Sequence, residues 1–96
     1  MNPDNPTYER TAEKRLRDWG VEIENLKERI ASAPPEDRAF CQDRIERLET
    51  LRGEGFAKLR DIRQLGDEDW EALHSDLETL WDKMRRIFAE IYGKMN

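Results

Sequence analysis

The side chains best suited to chemistry in this chain of 96 residues are one histidine and one cysteine. In Glu71-Ala72-Leu73-His74, a carboxylate and an imidazole lie on adjacent turns of one helix face. Di-iron helical bundles use such a Glu-x-x-His pair, but they need two copies and two further glutamates that point into the core. One histidine supplies one copy, and only a symmetric dimer would supply the second. Charges on the facing helices fall on outer surfaces, so we predict no metal ligand and a half-exposed His74.

Cys41 and His74 are the one pair with the chemistry for nucleophilic catalysis. The sequence around Cys41 is neither loop-like nor electropositive enough to activate a thiolate. The chain also has no glycine-rich phosphate loop and no long loop to hold a site. We therefore predict a buried Cys41, no catalytic residue, no cofactor and no enzymatic activity.

Composition and charge narrow the class of partner. Charged residues make up 41% of the chain with both signs mixed and a net charge of −5, so no face is expected to neutralise nucleic-acid phosphates. The first residues lack the basic and apolar regions of a signal peptide, and no apolar run approaches the ~20 residues of a membrane span. We expect a soluble, cytoplasmic protein without a transmembrane segment, and no binding to membrane surfaces because the polar helix faces are not notably basic.

Apolar residues recur alternately three and four residues apart in three stretches, which is the pattern of a helix with one buried face. The last stretch contains Trp70, Leu73, Leu77, Leu80, Met84, Ile87 and Ile91; the first contains Ala12, Leu16, Trp19, Ile23, Leu26, Ile30 and Ala33; the middle contains Cys41, Ile45, Leu48, Gly55, Leu59 and Ile62. The pattern predicts three helices of similar length.

Helix boundaries follow from capping signals, namely Asn5 and Pro6, then Pro34 and Pro35, then Gly66 and Asp67. They predict helix 1 at about 6–33, helix 2 at about 35–65 and helix 3 at about 67–92. Such short loops force neighbouring helices to be antiparallel. The predicted fold is all-α: a single domain over 1–96 that forms an antiparallel, up-down-up three-helix coiled-coil bundle.

The middle helix carries the irregular positions. Arg52 falls on the core side, where we expect it to extend to the rim or to pair with an acidic residue. Gly53 and Gly55 indicate a local distortion within one continuous helix, since the heptad phase is the same on both sides. When the chain is folded back at its turns, Trp19 and Trp81 fall at one level, and we expect Gly20 and Gly53 to make room for their indoles.

Two segments resemble small bacterial coiled-coil proteins known from cyanobacteria and proteobacteria. The segment Leu16-Arg17-Asp18-Trp19-Gly20-Val21-Glu22-Ile23-Glu24-Asn25-Leu26-Lys27 resembles their first helix, and Trp70-Glu71-Ala72-Leu73 followed by Trp81 and Phe88 resembles their last. The sequence departs from that family at Pro34-Pro35, at Cys41 and at Gly53 and Gly55. The resemblance implies a three-helix bundle of unassigned activity, loosely linked to stress responses, with no catalytic residues.

A second apolar row, His74, Trp81 and Phe88, lies beside the third seam. This row either widens the core face or forms an exposed patch, in which case it is a candidate interface for a homodimer or another protein. The leading hypothesis is a non-enzymatic structural or interaction protein. The alternative is an amphipathic lipid-surface or stress-protective protein whose helices open onto apolar partners.

Overall fold

The structure, a computed structural model, describes the backbone of residues 5–65 and 70–95 and the side chains of residues 7–61 and 71–95. Helix α1 spans Asn5–Ile30, α2 spans Pro35–Leu65 and α3 spans Trp70–Met95. Within these ranges there is no strand. Helix α1 packs against α2 and α2 packs against α3, in a rod of 51 × 19 × 18 Å. The predicted all-α, antiparallel three-helix bundle is confirmed.

The turn between α1 and α2 begins earlier than predicted, because α1 ends at Ile30 rather than near residue 33. Pro34 disfavours helical geometry at the residue before it. The chain instead closes a tight turn, in which the Ala33 amide donates to the Ile30 carbonyl at 3.0 Å. Arg38 of α2 donates to the Ala31 carbonyl at 3.3 Å, so a side chain from the next helix caps the end of α1.

The C-terminal end of α3 extends to Met95, beyond the predicted end at residue 92. Tyr92 and Met95 both pack against the core, and the Tyr92 hydroxyl donates to the Glu22 carboxylate of α1. These contacts hold the last turn against the bundle. The predicted caps Gly66 and Asp67, like the side chain of Asn5, lie outside the described residues.

Helix α2 is continuous through both of its glycines, as the unchanged heptad phase predicts. Gly55 is buried, and a Cβ atom there would lie 2.9 Å from a methyl group of Leu16 and 3.1 Å from one of Leu80. Gly53 is exposed, with nothing within 4 Å of a Cβ atom at that position. Gly55 therefore permits close packing of α2 between its neighbours, whereas Gly53 has no packing role.

The buried apolar side chains form one continuous core. They are Ala12, Leu16, Ile23, Leu26 and Ile30 of α1; Cys41, Ile45, Leu48 and Leu59 of α2; and Leu77, Leu80, Trp81, Met84, Phe88 and Ile91 of α3. Nearly all of them occupy the predicted seam positions. Hydrophobic spacing alone therefore located the core among the described residues.

Helices α1 and α3 meet through large aromatic side chains. The rings of Trp19 and Trp81 are in edge-to-face contact with centroids 5.6 Å apart, and Trp19 lies at the same distance from Phe88. The prediction that the two indoles share one level is confirmed. The prediction that glycines make room for them is wrong, because Gly20 faces the Arg52 guanidinium instead: a Cβ atom at residue 20 would lie 2.5 Å from it.

Candidate functional site

His74 packs at the edge of the bundle near the start of α1. Its ring lies 4.4 Å from the Tyr8 ring between centroids, and its Nε2 atom is 3.9 Å from the Glu78 carboxylate. Across the described part of the chain, no three His, Cys, Asp or Glu side chains are grouped so that they could hold a metal ion. The described residues therefore do not place the additional carboxylates of a di-iron site beside Glu71 and His74. The His74 imidazole is half-exposed.

The other two residues of the candidate interface row point inward in the single chain. The side chain of Trp81 is 1% exposed and that of Phe88 is 6% exposed. The Trp81 indole donates to the Tyr8 hydroxyl at 3.3 Å, and that hydroxyl donates to the Glu78 carboxylate at 2.9 Å. Of the two alternatives that the sequence left open, these side chains occupy the core, and only His74 of the row reaches the surface.

The side chain of Arg52 is part-buried and bonds to the backbone of α1, instead of extending to the rim or pairing with an acidic residue in the described part of the chain. Its Nε atom donates to the Leu16 backbone carbonyl at 2.6 Å, and its guanidinium lies 5.0 Å from the centre of the Phe56 ring. A charged donor on a backbone carbonyl beside an aromatic face is well satisfied without an acid. Only Gly20, which leaves the space that the guanidinium occupies, signals this arrangement in the sequence.

Cys41 is fully buried within the core, as predicted. Burial raises the pKa of its thiol, and the nearby Asp37 carboxylate adds to the effect. A protonated, inaccessible thiol is a poor nucleophile. Cys41 thus contributes to packing.

An open groove of about 540 Å³ lies between α2 and α3, and we call it the α2–α3 groove. Half-buried Leu51 and Ile87 are its apolar residues. The rims carry Asp43, Glu46, Arg47 and Thr50 from α2, and Lys83, Arg86 and Glu90 from α3. Apolar side chains between rims of both charge signs are suited to binding another protein surface.

Ion pairs between α2 and α3 fix the register of this groove. Arg44 Nε donates to Glu90 at 2.6 Å, and the same guanidinium contacts Asp43. Both hydrogen bonds raise the pKa of Arg44, the bond to Glu90 more than the bond to Asp43, so the guanidinium stays charged. Lys58 lies 3.3 Å from Asp76 nearer the other end of α2. The rim residues of α2 and α3 are therefore held at defined relative heights.

The groove is not predicted from the sequence, because its charged residues have the spacing of a solvated surface. A signal was nevertheless present: positions 43, 46, 47 and 50 of α2 have the same relative spacing as positions 83, 86, 87 and 90 of α3. That spacing puts each set on one helix face. Only the folded bundle shows that the two faces adjoin.

Among the described residues, no helix contains an apolar stretch long enough to span a bilayer. Comparisons with protein-family models, curated proteins and solved structures found no match to this chain. The resemblance to small bacterial three-helix proteins therefore stays a prediction.

Proposed function

We propose that this chain is a non-enzymatic interaction protein of the cytoplasm, a rigid three-helix bundle that acts by binding a protein partner or a second copy through its surface. The observation that carries the proposal is the α2–α3 groove, with Leu51 and Ile87 between charged rims. Helical proteins commonly bind an amphipathic helix or another bundle along such a groove. A role in bacterial stress responses, implied by the resemblance, belongs to the same proposal.

The distribution of apolar surface supports a role for this groove. Of the large apolar side chains described, Val21 is the exposed one, at 63%, and it lines a second groove, formed by α1 residues and Tyr92. Leu51 and Ile87 are instead gathered in one concavity. The lining of the α2–α3 groove is more apolar than that of the second groove, so contact with a partner there removes more apolar surface from water.

The reactive residues support a role outside catalysis. Cys41 is enclosed by the core, and His74 packs on Tyr8 beside Glu78. Neither is in the α2–α3 groove, which is lined by carboxylates, cationic side chains and apolar groups without a nucleophile and base in contact. Binding rather than bond-making is the chemistry that these groups provide.

Site-specific crosslinking in cells tests the proposal. A photoreactive lysine analogue replaces Lys83, on the rim of the groove, and in a matched variant it replaces Lys14, an exposed lysine of α1. We expect discrete crosslinked species from position 83 and none of the same mass from position 14. Identical patterns from both positions, or no discrete species from position 83, would contradict the proposal.

The lipid-surface alternative requires the helices to separate, since the apolar side chains that would contact lipid form the core. Co-flotation with anionic and with neutral vesicles tests it. Absence of binding to both compositions would eliminate this alternative and leave the interaction proposal unaffected.

A further inference from the structure

We infer that the α2–α3 groove binds a second copy of this chain, face to face and antiparallel, about a two-fold axis that crosses the groove near Glu46 and Arg47. The inference rests on the proposed function, for which it names the partner. Its basis is that the charges along each rim of the groove are self-complementary.

The register of the groove sets the position of the axis. Arg44 contacts Glu90 and Lys58 contacts Asp76, so α2 residues 46 and 47 lie level with α3 residues 88 and 87. A two-fold axis at this level, perpendicular to the helices, turns each helix end for end. Helix α2 then faces α2 of the second copy, and α3 faces α3 of the second copy.

This symmetry places opposite charges together along both rims. Glu46 of one copy faces Arg47 of the other, and Glu90 comes within one residue of the level of Arg86 of the other copy. Each contact occurs twice by symmetry, and Lys83 lies within one turn of Glu90 of the other copy. An isologous contact of this kind needs only one surface patch, which both chains contribute.

The opposite orientation of the second copy is less favourable. With the axis parallel to the helices, α2 of one copy would face α3 of the other at equal height. Asp43 would then lie opposite Glu90, and these like charges repel. The charge pattern therefore selects the antiparallel arrangement.

The dimensions and chemistry of this face also fit a dimer. A rod 51 Å long and 19 Å across has faces large enough for the ~800 Å² per partner of a standard interface. Leu51 and Ile87 provide apolar contact near the axis. Most of the pairing is between exposed charges, which contribute little individually and are screened at physiological salt over about 8 Å. We therefore expect a weak dimer that dissociates as salt is raised.

Charge reversal at two adjacent, exposed positions tests the inference. Glu46→Arg places arginine opposite Arg47 of the other copy, and Arg47→Glu places glutamate opposite Glu46. Each variant alone is expected to dimerise about tenfold or more weakly than wild type. An equimolar mixture of the two is expected to form a heterodimer, because its facing residues are again of opposite charge.

Molar mass is measured by sedimentation equilibrium at low and high salt, with far-UV circular dichroism to confirm that each variant is folded. Arg17→Glu, an exposed charge reversal on α1, is the matched control and should dimerise as wild type does. A wild-type mass of 11.5 kDa at millimolar concentration and low salt would overturn the inference. So would single variants that dimerise like wild type, or a mixture that stays monomeric.

These results separate the inference from the proposed function. A monomeric wild type that crosslinks from Lys83 to a different protein would refute the second copy and retain a protein-binding groove. A dimer that neither charge reversal weakens would place self-association on another face. Monomers without any discrete crosslink from Lys83 would refute both.

Discussion

Alanine substitution at the two glycines of α2 gives a direct test of how closely the bundle is packed. Gly53 and Gly55 lie two residues apart within the same continuous helix. Replacing either with alanine gives about 0.5–1 kcal/mol of added stability from helix propensity and reduced freedom of the unfolded chain. Any difference between the two variants therefore reports the surroundings of the added methyl group.

Those surroundings differ sharply. At Gly53 the new methyl group meets nothing within 4 Å, so Gly53→Ala should raise the free energy of unfolding by about 0.5–1 kcal/mol. At Gly55 it would lie 2.9 Å from Leu16 and 3.1 Å from Leu80, which are both buried. Overpacking of this kind costs about 1–3 kcal/mol. Gly55→Ala should therefore be less stable than Gly53→Ala by about that amount.

Urea denaturation followed by far-UV circular dichroism measures both free energies of unfolding. If Gly55→Ala is stabilised as much as Gly53→Ala, Leu16 and Leu80 move aside without cost and the argument for close packing at Gly55 is refuted. The double variant Gly55→Ala with Leu80→Ala is the control for mechanism. Removing the Leu80 methyl group, one of the crowding groups, should make Gly55→Ala more favourable in that background than in wild type.

Gly20→Ala should be stabilising by about 0.5–1 kcal/mol in an Arg52→Ala background and less favourable in wild type, where the new methyl group displaces the Arg52 guanidinium. Equal effects in both backgrounds would contradict the contact. Burial, followed by the hydrogen bond to Glu22, raises the pKa of Tyr92 from 10.0 to about 12. The protonated tyrosine therefore stabilises the folded state, and this stabilisation is complete below pH 10 and lost as the pH rises through 12. In urea titrations from neutral to alkaline pH, Tyr92→Phe should be less stable than wild type by about 1 kcal/mol at neutral pH and should lose less stability as the pH is raised. If the free energies of unfolding of the two proteins fall in parallel with pH, the stabilising role of the Tyr92 hydroxyl is refuted. The Cys41 thiol should react with a thiol reagent only as fast as the chain opens and immediately in denaturant; rapid labelling of the native protein would contradict its burial.

Local sequence was sufficient for the helices because their determinants are local. Spacings of three and four residues put the apolar side chains on one face, Pro34 disfavours helix at the residue before it, and Pro35 is suited to the first position of the next helix. The continuity of α2 through Gly53 and Gly55 likewise followed from an unchanged heptad phase. Those features require no knowledge of the neighbouring helices.

The exact ends of helices depended on contacts from other elements. Arg38 of α2 caps the last turn of α1, and the contact between Tyr92 and Glu22 of α1 holds the end of α3. Such side chains are distant in sequence from the ends that they stabilise. Capping residues within the chain segment itself could not predict them.

The sequence by itself determined the three amphipathic helices, their antiparallel order and nearly all of the buried seam. The tertiary structure decided the position of Trp81, which lies in the core because α1 and α3 are joined by aromatic rings rather than by close backbone packing. It also decided the partner of Arg52 and created the α2–α3 groove, whose Leu51 and Ile87 come from different helices. Periodicity fixes which face of a helix is buried, whereas a surface shared by two helices exists only once their register and separation are set.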